Sequence, residues 1–159
     1  MTCTGGTYSF SALSISGVDG NKAIVVSQTD VAGNSGSITR NLVLDATAPS
    51  GLMNLASGQA DPTNNPSLEF AVAFSEPMNT GTIDSTDFQV TAGGSFATIS
   101  GVTISDSQNI IISLDVLSPS TTNMNFTLGP SGTFSMSDVL GNVMAGAGIS
   151  VTDNTILFD

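Results

Sequence analysis

The sequence predicts an all-β protein built around an antiparallel β-sandwich, and two observations lead to this prediction. Charged residues make up only 9% of the 159 residues, and the polar remainder is rich in Ser, Thr and Asn, with 17 Gly. This mixture of hydroxyl, β-branched and turn-forming residues favours strands and tight turns over helices. Short segments of alternating apolar and polar residues also follow one another along the chain, and no long segment keeps the apolar spacing of a helix.

Three strands are predicted before the first proline-containing joint. They lie within 7–13, 21–30 and 37–45. The first has Tyr8, Phe10 and Ala12 on one face. The second has Ile24 and Val26 on one face, and the third groups Ile38, Leu42 and Leu44 with Arg40. The joint "DATAPSG" that follows is the best domain boundary in the chain, because Pro and Gly interrupt regular structure.

Seven further strands are predicted after the joint. They are assigned to 51–57, 67–74, 87–91, 95–104, 109–116, 124–128 and a last strand within 149–158. A change of face around Gly101 predicts a β-bulge in the fourth of these. The one segment that resembles a helix, 134–145, is interrupted by Gly141. Seven short strands, each with one apolar face, indicate a two-sheet sandwich.

These strand counts predict an uneven domain organisation. Residues 51–159 have a complete strand set, with 46–50 as the linker before them. Residues 1–45 supply only a few strands, and their apolar face would stay wet without an opposing sheet. We therefore expect 1–45 to be the C-terminal half of a truncated repeat.

The charge balance excludes several functions. Against 13 acidic residues the chain has only Lys22 and Arg40, a formal net charge of −11. Nucleic acids and anionic membranes are poor partners for such a surface, because both are bound by clustered cations. The sole cysteine, Cys3, cannot form an intramolecular disulfide, and neither a signal peptide nor a transmembrane segment is recognisable. With no His and no phosphate-binding glycine pattern, we expect no enzyme activity.

Two sequence motifs carry a resemblance to a known family. The stretch "QTDVAGNSGS" followed by "LVLDATAP" (28–49), with "GGTYSF" (5–10), resembles the bacterial immunoglobulin-like repeats of large surface adhesins and biofilm-associated proteins. The stretches "NNPSLEFAVAFSEPMN" (64–79) and "SDVLGN" (137–142) resemble a related variety found in surface and S-layer-associated proteins. The resemblance implies immunoglobulin-like sandwiches in tandem on a bacterial cell surface. One departure is that Asp159 follows its turn Asp138 by 21 residues, whereas Asp45 follows Asp30 by 15.

The Asp-x-x-Gly-Asn turns of these motifs have two interpretations. One is purely structural, since Asp starts turns and Gly supplies a positive φ. The other is calcium, because alternating strand directions would bring loops 75–86, 105–108 and 129–148 to one pole, with Asp45 arriving from the linker and Asp61 at the other pole. The preferred calcium ligands are Asp45, Glu76, Asp138 and Asn142. Second-rank ligands are Asp84, Asp87 and Asp106, and incomplete sites would involve Asp30, Asn34 and Asp159.

Two classes of function stay open at this point. We expect a structural spacer, an extracellular repeat that extends a large bacterial adhesin and has the neighbouring repeats as its partners. The alternative is an immunoglobulin-like module that binds a host or biofilm protein or a carbohydrate. Stacking of sugar rings is disfavoured because the chain has no Trp and a single Tyr.

Overall fold

The protein is all-β in a computed structural model that describes residues 2–4, 7–9, 14–117, 124–132, 134–145 and 148–158. The described residues form twelve strands and two short 3₁₀ helices and contain no α-helix. The chain divides into two compact units, Met1–Thr47 and Ala48–Asp159. The boundary falls within the predicted linker, 46–50.

The first unit is dominated by one long β-hairpin. A small pair, β1 (Thr2–Thr4) with β2 (Thr7–Ser9), precedes it. In the hairpin, β3 (Gly20–Thr29) pairs antiparallel with β4 (Ser35–Leu44) without a register shift. The even-numbered residues share one face, on which Ile24 lies opposite Arg40 and Val26 opposite Ile38. This is the grouping that the alternation predicted; the face predicted for Tyr8, Phe10 and Ala12 lies outside the described side chains.

In the second unit the described residues form eight strands and the two 3₁₀ helices Thr80–Thr82 and Ser85–Asp87. The strands are β5 (Gly51–Leu55), β6 (Ser67–Phe74), β7 (Phe88–Ala92), β8 (Ala97–Ile104), β9 (Asn109–Val116), β10 (Met124–Pro130), β11 (Ile149–Val151) and β12 (Thr155–Phe158). They form a five-stranded sheet in the order β11-β5-β6-β9-β8 and a three-stranded sheet in the order β12-β10-β7. All pairs are antiparallel except β11 with β5, which is parallel.

Both sheets of the second unit contribute to one hydrophobic core, which gives the unit a β-sandwich-like character. Phe70 and Ile112 of the larger sheet are fully buried, as are Phe126 and Leu128 of the smaller one. The rings of Phe126 and Phe158 meet edge to face, with centroids 6.1 Å apart. At roughly 25 cal/mol per Å² of apolar surface removed from water, such burial is the main source of stability for the unit.

The predicted strands agree closely with the observed ones in the second unit. Strands 67–74 and 109–116 have the predicted bounds, and the predicted bulge near Gly101 appears as a register shift between Ile99 and Gly101. The last predicted strand differs, because 149–158 divides into β11 and β12, which belong to different sheets. Segment 134–145 forms turns and isolated bridges, as its interruption by Gly141 led us to expect.

Candidate metal site and the Asp-x-x-Gly-Asn turns

Three loops of the second unit meet at one end of its sandwich, as the alternating strand directions predicted. The Met78 N–H donates to the Ser107 carbonyl at 2.8 Å, and the Asn79 N–H donates to the Ser137 carbonyl at 2.9 Å. The Ser137 N–H in turn donates to the Thr82 hydroxyl at 3.1 Å. We call this end the acidic pole, because its loops carry Glu76, Asp84, Asp87, Asp106 and Asp138.

Asp138 organises the turn at the acidic pole with both of its carboxylate oxygens. Its Oδ1 accepts hydrogen bonds from the Leu140 N–H at 2.7 Å and the Asn142 N–H at 2.9 Å. Its Oδ2 accepts from the Asn142 side-chain amide at 2.7 Å. Gly141 has φ +93°, a backbone conformation that suits glycine. The motif therefore closes into a turn held by one Asp–Asn pair.

The hydrogen bonds keep Asp138 ionised although it is buried. The residue is only 1% exposed, and this burial acts to raise the pKa of its carboxyl group. The amide of Asn142 and the backbone N–H groups of Asn142, Leu140 and Gly141 outweigh the burial, so that the pKa lies below its usual range. Asp138 therefore presents a full negative charge at the acidic pole at neutral pH.

Glu76 places a second carboxylate close to that of Asp138. It is half-buried, and one of its carboxylate oxygens lies within 4.8 Å of one from Asp138. Two anionic groups at this separation repel each other, and a cation between them would relieve that repulsion. Calcium is a chemically suitable cation, since it takes six to eight oxygen ligands from carboxylates, carbonyls and water. The side-chain amide nitrogen of Asn142 faces Asp138 and holds that carboxylate in place by a hydrogen bond.

The first unit repeats the same turn with Asp30 and Asn34. Oδ1 of Asp30 accepts the Asn34 N–H at 2.8 Å, and Oδ2 accepts the Asn34 side-chain amide at 2.8 Å. Gly33 has φ +90°, matching Gly141 of the second turn. These hydrogen bonds lower the pKa of Asp30, the side-chain amide of Asn34 contributing most. The two turns differ in burial, since Asp30 and Asn34 are exposed.

The predicted second-rank ligands hold their own loops in place. Asp84 caps the helix Ser85–Asp87 by accepting from the Thr86 N–H at 2.7 Å. Asp87 is buried and accepts from the Asp84 and Ser135 N–H groups at 2.8 and 3.1 Å. Asp106 accepts from the Gln108 N–H at 2.7 Å in the loop between β8 and β9. These carboxylates have structural roles that the sequence analysis did not assign.

Two further predicted residues, Asp45 and Asp61, accept backbone hydrogen bonds within their own units. Asp45 follows β4, and its Oδ1 accepts the Thr47 N–H at 3.2 Å within the first unit. Asp61 accepts the Leu157 N–H at 2.8 Å, at the end of the second unit away from the acidic pole. Asp159 lies outside the described residues.

Asp19 is a residue whose role the sequence analysis missed. Its carboxylate accepts the Ala46 N–H at 2.9 Å and also the hydroxyl of Thr47. The Thr47 hydroxyl contributes most to a lowered pKa of Asp19, followed by the Ala46 N–H. The signal "VDGN" indicated only a turn, whereas Asp19 also ties the joint residues to the first unit.

No protein family, curated protein or solved structure matches the chain. Among the residues described, no helix is long and apolar enough to cross a membrane.

Proposed function

We propose that this protein is a structural spacer of a large bacterial surface adhesin. It would comprise one complete immunoglobulin-like repeat preceded by the C-terminal half of another, stiffened by calcium where the repeats join. A spacer must carry load along the chain from one repeat to the next. The observation that supports this role most strongly is the way in which the second unit ties its first segment to its last.

The first and last segments of the second unit run parallel to each other. Gly51 of β5 pairs with Ile149 of β11, and at the far end Thr63 forms a parallel bridge to Phe158. The Thr152 N–H donates to the Met53 carbonyl at 3.1 Å between these points. Tension applied to the two ends of the unit pulls parallel segments past each other, so that the hydrogen bonds between them share the load.

The recurrence of one turn in both units supports a tandem-repeat origin. Asp30 with Asn34 and Asp138 with Asn142 form the same pair of carboxylate hydrogen bonds. Both backbone N–H groups of the Asp residues also donate to the paired Asn carbonyl, at 2.9 and 3.1 Å. The motif that carries the resemblance to surface repeats thus has one geometry in two successive units.

Calcium is the cation we propose for the acidic pole. Glu76 and Asp138 supply two close carboxylates, and the sequence position of Asp45 next to the linker makes it our third ligand. A calcium ion bound by residues from both sides of a linker would restrict bending there. Extracellular calcium modules bind at about 10⁻⁴–10⁻³ M, a range matched to extracellular calcium.

A binding screen tests the spacer against the alternative of a ligand-binding module. We expect the full chain to show no saturable binding to glycans or to extracellular-matrix proteins, with calcium and with chelator. Saturable binding that is lost on substitution of residues in the polar groove around Gln59, Asn65 and Glu69 would contradict the spacer and establish the module.

A further inference from the structure

The β3–β4 hairpin of the first unit has an apolar face without a second layer among the residues described. Ile24, Val26, Ile38 and Leu42 share this face; Ile38 is 58% exposed and the other three are half-buried. Of the strands that the structure describes, only β3 and β4 belong to this sheet. An isolated two-stranded hairpin is at best marginally stable in water, and a second layer over its apolar face stabilises it. We propose that a second copy of this chain supplies that layer, in a two-fold dimer of hairpins packed face to face.

Charge complementarity favours a particular arrangement of the two hairpins. The first unit holds both cations of the chain, Lys22 and Arg40, and their register positions are on the apolar face in the half toward its open end. The Lys22 ammonium donates to the Val18 carbonyl at this end. The opposite end of the hairpin carries Asp30, whose lowered pKa keeps it anionic. Packing the hairpins in parallel would gather four cations at one end. Packing them antiparallel places the cationic end of each over the anionic turn of the other.

The register of this dimer follows from the positions of the charges. Counted along the sequence, Lys22 in β3 and Asp30 in the turn after it are each four residues from Val26, which lies opposite Ile38 in β4. A two-fold axis through the Val26–Ile38 pair therefore brings Lys22 over Asp30 of the second copy. Val26 and Ile38 also border a groove that extends along the turn half of the hairpin and that apolar side chains of the second copy would fill.

The net charge of the units also permits this contact. The second unit carries ten acidic residues and no cation, whereas the first carries three acidic residues with Lys22 and Arg40. Association through the first unit therefore uses the less acidic of the two units. Like-charge repulsion between whole chains of net charge −11 is screened at physiological ionic strength over about 8 Å.

Sedimentation equilibrium of the full chain at constant physiological salt tests the dimer. We expect a reversible monomer–dimer equilibrium. Ile38→Asp should raise its dissociation constant about tenfold or more, because the substitution places two carboxylates on the axis. The matched control is Val25→Asp, on the opposite face of the hairpin and 59% exposed in the native chain, and it should leave the dissociation constant unchanged.

A second variant keeps the test informative if Ile38→Asp unfolds the hairpin. In the proposed register, residue 22 lies over Asp30 of the second copy. Lys22→Glu should therefore weaken the dimer, because it places two carboxylates together, whereas Arg40→Gln should weaken it less. Circular dichroism should be the same for both variants. A chain that stays monomeric at every concentration overturns the proposal. Equal weakening by Ile38→Asp and Val25→Asp would also overturn it.

Discussion

Asn142 holds Asp138 with two hydrogen bonds, one from its backbone N–H to Oδ1 at 2.9 Å and one from its side-chain amide to Oδ2 at 2.7 Å. Asn34 holds Asp30 in the same way in the first unit, where the pair is exposed. One motif thus occurs at two depths of burial within a single chain. This contrast allows its energetic contribution to be measured against an internal control.

Substitution of the buried Asp138 should lower the free energy of unfolding more than substitution of the exposed Asp30. In Asp138→Asn an amide replaces a carboxylate that accepts three donors, and one donor is left facing another. We expect a loss of about 1–3 kcal/mol for this buried site and less than about 1 kcal/mol for Asp30→Asn. Urea denaturation followed by circular dichroism measures both. Equal losses would show that burial of the turn adds nothing to its stability.

The lowered pKa of Asp138 predicts a specific pH dependence. The folded-state pKa lies below the unfolded value of about 3.9, so the folded state binds protons less readily than the unfolded chain. The stabilisation is therefore fully present above the unfolded pKa and is lost as the pH falls through the folded pKa. The difference in unfolding free energy between the native chain and Asp138→Asn should shrink over that acidic range. A constant difference down to the lowest pH measured would contradict the assignment.

Gly93 should be much less tolerant of alanine than Gly58, although both have a positive φ. A Cβ at Gly93, where φ is +77°, would lie 2.6 Å from the Phe126 ring and 2.9 Å from the Asn125 carbonyl oxygen. At Gly58, where φ is +91°, a Cβ meets nothing within 4 Å. We expect about 1–2 kcal/mol for Gly58→Ala from backbone strain alone and about 1–3 kcal/mol more for Gly93→Ala. Thermal or urea unfolding of the two variants under identical conditions measures the difference.

Calcium should raise the melting temperature of the native chain relative to chelator. A calcium concentration about ten times the dissociation constant adds about 1.4 kcal/mol, equivalent to about 5 °C for a domain of this size. Glu76→Gln and Asp138→Asn should abolish the shift, because each removes a proposed ligand charge. Glu69→Gln is the control, since Glu69 is an exposed residue of β6 outside the acidic pole.

An unchanged melting temperature with and without calcium would contradict the metal site. That result would not bear on whether the second unit resists tension, because the parallel pairing of β5 with β11 does not depend on an ion.

Local sequence patterns were sufficient to predict most strands and the gathering of the acidic loops. Alternation in 67–74 requires one buried face, and Phe70 and Val72 lie on it. The bulge near Gly101 was likewise predictable, because the apolar residues change from one face of the strand to the other at this point. Successive strands were assumed to alternate in direction. Glu76 and Asp138 could therefore be assigned to the same end of the second unit from the order of the strands alone.

Long-range hydrogen bonds were not predictable in the same way. Asp19 binds Ala46 and Thr47 across more than two dozen residues, and no local pattern marks that pairing. The division of 149–158 between two sheets depends on which neighbours each half meets. Asp84 and Asp87 form a capping box that the spacing in "DSTD" does indicate, but the sequence analysis weighed these residues only as metal ligands.

The central claim, that the second unit bears tension, is tested most directly by pulling the full chain from its two ends with single-molecule force spectroscopy. The β3–β4 hairpin should open first and at low force, because pulling at Gly20 and Leu44 separates one antiparallel pair at a time. The unit Ala48–Asp159 should then unfold in one high-force event that releases roughly 350–400 Å of chain. Thr152→Pro, which removes the N–H bonded to Met53, should lower that force. Unfolding of this unit at a force no higher than that of the hairpin would contradict the spacer.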